Sequence, residues 1–328
     1  MPLFDLPLDQ LRSYRPERDE PADFDAFWSA TLAENAHPLD VITRPEPSPF
    51  TGLAISDLEF AGYGGDRIHG WWLRPERPRG RSACVIHFPG YNAGRGYPHQ
   101  WLDYAAVGAS VIVMDVRGQG GGSEFPGATD DPGSGGNAEV PGFLTRGLEE
   151  RERYYLRRVY VDAYRVVDVA RELVGPDTEI VIAAGSQGGG IGLAVTGLRS
   201  DLALALLDVP SFALFRRTTE ITGVGSRAEI ARYLASHRDR IDQVFATLSY
   251  FDGVNLAARA TAEARFSVGL MDNVCPPSTV FAAYHHYAGP KDIAVWPYNG
   301  HEGGGALQHR RHLDTVAAWI DSSPAPTR

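Results

Sequence analysis

The stretch Glu179-Ile180-Val181-Ile182-Ala183-Ala184-Gly185-Ser186-Gln187-Gly188-Gly189 decides the fold. An apolar run of strand type enters a turn of small residues, and helical periodicity follows from Gly188 to Leu198. A serine on such a turn has the form of a nucleophile elbow, which exposes the hydroxyl only if the residues two before and two after it are small enough not to collide. Ala184 stands where that motif has glycine and adds one methyl group. Taken alone, the motif also fits a tight turn into a helix or a phosphate-binding glycine loop. A dinucleotide site would put its glycines after the first strand of a sheet, and this turn comes late.

Outward from the elbow, short apolar runs alternate with helical stretches. The runs are Ala83 to Phe88, Ser110 to Met114, Glu179 to Ala184, Leu202 to Leu207, Ala264 to Leu270 and Asp292 to Trp296. Helical periodicity falls on Pro98 to Val107, Arg151 to Leu173, Gly188 to Leu198, Ser278 to Tyr287 and Ala306 to Ile320. This alternation predicts an α/β fold with a mostly parallel central sheet and helices on both faces, and the elbow makes an α/β-hydrolase the expected fold. Leu58 to Arg74, strand-like on both sides of Gly64, Gly65 and Asp66, predicts an antiparallel hairpin at the sheet's N-terminal edge. The expected organisation is a single domain over residues 1–328. It has a helical extension in about 1–50, centred on Asp23 to Ala33, a long loop at 118–143, and a helical cap insertion at about 210–255 near the active site.

Composition narrows the function. Hydrophobic residues at 43 % and charged residues at 22 % are enough for a sizeable globular core. A formal net charge of −10 and the lack of a basic run argue against nucleic-acid binding. No apolar run is long enough to span a bilayer, and the first residues lack the pattern of a secretory signal, so the expected location is cytoplasmic, with no membrane partner. Cys84 and Cys275, the only cysteines, lie in apolar or proline-flanked settings and read as reduced, packed thiols.

In an α/β-hydrolase the acid and then the histidine follow the serine in the chain. His37, His69, His87 and His99 precede Ser186. His237 falls in the cap, His285 and His286 in a helical stretch, and His309 and His312 on the last helix. His301, in the polar loop between the last strand and the last helix, remains. Asp272 ends the strand before it, with one helix and one strand between the two. Asp208, one strand earlier, is the competing acid. The N–H of Gln187 at the helix start and that of Tyr91, in Pro89-Gly90-Tyr91-Asn92 after an early strand, are the expected oxyanion donors.

With those residues placed, the chain resembles the acetyl xylan esterase and cephalosporin C deacetylase family, carbohydrate esterase family seven. The resemblance runs from about Pro16 past His301. It is carried by Phe88-Pro89-Gly90-Tyr91, Asp115-Val116-Arg117-Gly118-Gln119-Gly120, Gly185-Ser186-Gln187-Gly188-Gly189, Leu270-Met271-Asp272-Asn273-Val274-Cys275-Pro276-Pro277 and His301-Glu302. It implies Ser186, Asp272 and His301 as catalytic triad, with Tyr91 and Gln187 at the oxyanion hole. It further implies deacetylation of small substrates such as acetylated xylo-oligosaccharides and cephalosporin C, perhydrolysis with peroxide, and neither metal nor organic cofactor. A homo-oligomer is implied too, a hexamer built as a trimer of dimers, in which the 118–143 loop is a candidate interface element or else a mobile surface loop. Arg117, Gln119 and Glu302 are expected in support of the triad, a buried Arg117 pairing with Glu302 to hold the histidine loop. Two other readings stay open: an acylaminoacyl or prolyl oligopeptidase-like peptidase, for whose usual propeller domain the chain has no room, and a non-catalytic hydrolase-fold binding protein.

Overall fold

A computed structural model describes residues 3–134 and 140–322 of the chain. Among them the strands are β1 (Ile42–Pro45), β2 (Leu53–Ala61), β3 (Arg67–Pro75), β4 (Ala83–His87), β5 (Ser110–Met114), β6 (Glu179–Gly185), β7 (Leu204–Asp208), β8 (Glu263–Gly269) and β9 (Lys291–Trp296). They form one sheet in the order β1-β2-β3-β5-β4-β6-β7-β8-β9. The pairs β1/β2, β2/β3 and β3/β5 are antiparallel. From β5 across to β9 every pair is parallel. This is the expected α/β-hydrolase fold.

The parallel strands are apolar on both faces because both are covered. Alternate residues feed opposite cores: Ile86, Ile112 and Ile182 join one, and their neighbours Val85, Val111 and Val181 join the other. The first core is covered by α2 (Phe24–Glu34), α4 (Tyr155–Val174) and α5 (Gln187–Leu198), and the second by α3 (Asp103–Ala106) and α11 (Gly305–Asp321). Each such buried valine or isoleucine contributes about 1.5–3 kcal/mol. The long helix α4 begins at Tyr155, four residues later than its periodicity suggests, because residues 151–153 form turns instead.

Three local features depart from the sequence reading. The hairpin is β2 and β3, yet it is not the sheet edge, since the short, fully exposed β1 pairs outside β2. With no buried face, β1 shows no alternation to read. A short helix α1 (Leu8–Leu11) precedes α2, and Pro98 to Val107 divides into a 3₁₀ turn at Pro98–Trp101 and α3.

Between β7 and β8 lie α6 (Phe215–Ile221), α7 (Arg227–Ser236), α8 (Ile241–Ser249) and α9 (Gly253–Ala257), the helical insertion. Asp252 ties its two ends together, accepting from the N–H groups of Leu214, Phe215 and Val254 at 2.9–3.0 Å. The remaining helix, α10 (Pro277–His286), connects β8 to β9, and its His285 and His286 bond to the carbonyls of Leu11 and Pro16, fastening the N-terminal arm. No helix among the described residues is long and apolar enough to cross a membrane.

Much of the 118–143 loop folds back on the sheet. Asp115, at the end of β5, accepts from the N–H groups of Arg95 (2.8 Å), Ala128 (2.5 Å) and Thr129 (2.9 Å). Arg158 of α4 grips the buried Asp131 carboxylate at 2.8 and 2.7 Å. The tip, 135–139, lies outside the described residues.

Candidate active site

Ser186 sits between β6 and α5 with φ 55° and ψ −123°, a conformation rare for a residue with a side chain. Such a residue costs roughly 1–3 kcal/mol and persists where its surroundings hold it. Here the Ser186 N–H donates to the Asp208 carbonyl at 2.9 Å, and its own carbonyl accepts from Ser211 N at 2.9 Å and Gly190 N at 3.0 Å. The close approach explains the glycines. A Cβ on Gly188 would stand 1.9 Å from the Phe88 carbonyl oxygen, whereas its distance to the Ala184 methyl would be 3.2 Å. The elbow thus tolerates alanine at 184 and excludes it at 188.

The hydroxyl of Ser186 lies 2.8 Å from His301 Nε2. His301 Nδ1 lies 2.9 Å from Asp272 Oδ2. The other oxygen of Asp272 accepts from the N–H groups of Val274 (2.7 Å) and Cys275 (2.9 Å), so the fully buried carboxylate is fixed by the turn that follows β8. Three elements far apart in sequence converge as a relay from hydroxyl to imidazole to carboxylate. That arrangement can take a proton from Ser186 onto His301 while the carboxylate holds the ring tautomer. Burial opposes a charge on the His301 ring, but the bond to Asp272 and the nearby Cys275 sulfur outweigh it and raise its pKa above the ordinary value. The competing acid, Asp208, faces the other way: its carboxylate lies 3.5 Å from His312 Nδ1 on α11.

Tyr91 stands in the loop after β4 and Gln187 is the first residue of α5, directly after the serine, and among the described residues neither backbone N–H has a hydrogen-bond partner. Both are free to donate to a developing oxyanion, Gln187 with the added field of the α5 N-terminus. Their positions are linked through Gln119. The Gln119 and Gln187 side-chain amides pair reciprocally, each Nε2 donating to the other's Oε1 at 3.0 Å. Gln119 Oε1 also accepts from Asn92 N at 2.7 Å, and Gln187 Nε2 also donates to the Gly90 carbonyl at 3.1 Å. Gln119 Nε2 donates further to the Tyr155 hydroxyl at 2.9 Å, which in turn donates to the Arg117 carbonyl at 2.6 Å. Asn92 adopts φ 61°, a left-handed turn that asparagine tolerates.

The Tyr91 ring is pinned from the cap. Its hydroxyl donates to Glu229 of α7, whose other oxygen accepts from Leu144 N at 3.2 Å, and its ring meets Phe143 edge-on at 5.4 Å. Burial and the Glu229 carboxylate raise the phenol's pKa.

Arg117 and Glu302 do not meet, which corrects the expected pairing. The fully buried Arg117 points toward α4 and the β2–β3 turn, where its Nε and Nη2 bond to Asp162 at 2.6 and 2.9 Å and its Nη1 to Asp66 at 2.9 Å. Three carboxylates, counting Asp131 at 3.5 Å, offer a buried guanidinium more than one exposed glutamate could. Glu302 instead ties its own loop, accepting from Asn299 Nδ2 at 2.8 Å and Gly300 N at 3.1 Å. Tyr155 and Glu229 escaped the sequence reading, since each lies in a helix where it reads as ordinary packing or solvated charge.

A serine, histidine and aspartate joined in this way at a strand-to-helix elbow define a serine-hydrolase-type site on an α/β-hydrolase fold. A profile of the acetyl xylan esterase family matches residues 1–319, and the chain belongs to that family. An acetyl xylan esterase from a Paenibacillus species is 36 % identical and superimposes with a TM-score of 0.87, the match covering 96 % of this chain and all of that one (100 %). Acetyl xylan esterase 1 from a Thermoanaerobacterium species is 31 % identical with a TM-score of 0.85, over 96 % and 99 % of the two chains. An acetyl esterase of Xylanibacter ruminicola is 27 % identical over 306 residues, 88 % of this chain and 65 % of that protein's length.

Proposed function

We propose that the protein is a serine carboxylesterase that removes acetyl groups from small oxygen esters, acetylated xylo-oligosaccharides or other sugars and cephalosporin C among them. The observation that carries this reading is the Ser186–His301–Asp272 relay, with contacts of 2.8 and 2.9 Å beside two unpartnered N–H groups. Ser186 attacks the acetyl carbonyl as His301 takes its proton. The N–H groups of Tyr91 and Gln187 receive the oxyanion, and His301 returns the proton to the leaving alcohol. Water, activated by the same imidazole, then releases acetate. Asp272 holds the ring and stabilises its cation.

Family membership supports the acetyl group, and the pinned Tyr91 ring supports a small acyl site. The same membership supports a homo-oligomer as the working form, a hexamer built as a trimer of dimers; a single-chain mass in solution would refute it. Two buried, unpaired cysteines support a cytoplasmic setting.

The test compares p-nitrophenyl acetate, butyrate and octanoate, followed by acetylated sugars, with Ser186→Ala as control. Preference for acetate and loss of turnover in the variant are expected. A preference for octanoate, or for an aminoacyl anilide over the acetate, would overturn the reading.

A further inference from the structure

Arg227, the first residue of α7, is 2 % exposed, and no carboxylate lies within ion-pairing distance of it among the described residues. Its Nη1 donates to Ser211 Oγ (2.9 Å) and Ser226 Oγ (3.1 Å), its Nη2 to the Val274 carbonyl, and its Nε has no partner. The other buried arginines find acids, as Arg117, Arg157 and Arg158 do, or saturate themselves on carbonyls, as Arg165 does with four of them. Arg227 has neither solution. A guanidinium buried without a counter-charge is costly, so its surroundings should supply an anion.

The remaining group in contact is a thiol. Cys275 Sγ lies 3.3 Å from Arg227 Nη2 and 2.9 Å from Ser211 Oγ, and the residue is 1 % exposed. Its backbone N–H is held by Asp272, and its sulfur, a carboxylate oxygen of Asp272 and a ring nitrogen of His301 all lie within 4.8 Å of one another. We propose that Cys275 is ionised, a buried thiolate paired with Arg227, and that it faces His301 as a second anion beside Asp272.

The charged and titratable groups facing the sulfur are Arg227, Asp272 and His301. Burial and Asp272 disfavour the thiolate, while Arg227 and His301 favour it, and the balance lowers the thiol's pKa. Cys84 is the internal control: equally buried but without a cation, its thiol is pushed up to about 12. Because Arg227 carries a permanent charge, the thiolate does not need His301 to be protonated, and the imidazole stays available as base. When Ser186 gives its proton to Nε2, the thiolate stabilises the resulting imidazolium and itself takes no proton. Thiolate, carboxylate and imidazole would also make a soft-metal donor set, but the guanidinium already stands at the sulfur, where its charge repels a metal cation. The effect on the base rests on the catalytic reading of His301; the ion pair does not.

The test is the ultraviolet absorbance of the thiolate, read as the difference between the native protein and Cys275→Ala across a pH titration. A thiolate signal with a midpoint below the ordinary cysteine value of about 8.5 is expected. In Arg227→Met it should move up by about two units, and in Arg227→Lys, which keeps the cation, by less. The same Cys275→Ala variant should shift the acid limb of kcat/KM for p-nitrophenyl acetate down by about one pH unit. No signal below that midpoint, or one indifferent to Arg227→Met, overturns the pair. A normal signal with an unmoved limb overturns its action on His301. Turnover surviving in Ser186→Ala would instead defeat the catalytic reading and leave the absorbance result standing.

Discussion

Replacing Gln119 by leucine tests whether the two oxyanion donors are held as a unit. The substitution removes the amide that accepts from Asn92 N at 2.7 Å, exchanges two bonds of 3.0 Å with Gln187, and donates to Tyr155 at 2.9 Å. Asn92 N–H then has no acceptor, at a cost of about 1–3 kcal/mol. Gln187 keeps its bond to the Gly90 carbonyl but loses its fixed orientation, and Tyr155 still donates to Arg117. The expected loss of stability is therefore on the order of 2–4 kcal/mol. Deleting one oxyanion donor outright costs roughly 10²–10³-fold in kcat. Gln119 only positions the donors, so a fall of about 10–100-fold in kcat with little change in KM is expected. Gln119→Glu, which keeps the acceptor for Asn92 N and loses the donor, should fall between. The assay is steady-state turnover of p-nitrophenyl acetate well below the melting temperature, paired with the affinity of a boronic acid that forms a tetrahedral adduct. A cooperatively folded leucine variant within twofold of the parent in kcat and in boronate affinity would refute the argument.

Other substitutions separate stability from chemistry. Arg117→Met leaves Asp162 buried without its cation, while Asp131 keeps Arg158, and should cost about 3–5 kcal/mol, read as a fall in Tm, while KM of the folded fraction stays near the parent's. An unchanged Tm would contradict the pairing seen. Gly188→Ala places a methyl 1.9 Å from the Phe88 carbonyl and should abolish fluorophosphonate labelling of Ser186, whereas Ala184→Gly should leave labelling intact. Because the raised His301 pKa means the ring must lose its proton above 6.5 before it can act as base, kcat/KM should climb with pH through a limb above that value; a limb at or below it would show that burial prevails over Asp272 and Cys275. Asp272→Asn should lower kcat by about 10⁴-fold with the fold retained, as expected when the wrong tautomer faces the serine.

The sheet and the convergence of Ser186, Asp272 and His301 were legible because both follow from rules of order along the chain. Short apolar runs between helical stretches admit few architectures, and the hydrolase topology leaves one histidine and favours Asp272 over Asp208 among the aspartates at strand ends. Where no such rule operates, reading failed. Strand β1 is exposed on every residue and so lacks alternation, and the turn residues before α4, Arg151, Glu152 and Arg153, are charged residues that suit a helix surface equally well and so do not mark its start. The direction of Arg117 was equally hidden. Its motif marks it as important, but which carboxylate it meets depends on which face of the strand end it leaves, and Asp162 lies on a helix 45 residues away.

The same distinction explains where this site differs from a bare triad. Relay residues stand at or just beyond strand ends, whose positions the sheet dictates, while Glu229 and Arg227 come from the helical insertion. Glu229 and Arg227 lie two residues apart at the start of α7. Glu229 braces the Tyr91 loop at the oxyanion side, and Arg227 reaches the Cys275 turn at the acid side. One helical turn therefore contacts both the Tyr91 loop and the Cys275 turn. Any shift of the insertion, from a substitution in α7 or from Asp252, whose carboxylate ties its ends, would disturb oxyanion binding and imidazole basicity together. Variants at Asp252 should then lower kcat and move the acid limb in the same protein, whereas damage confined to one loop would change only one of the two.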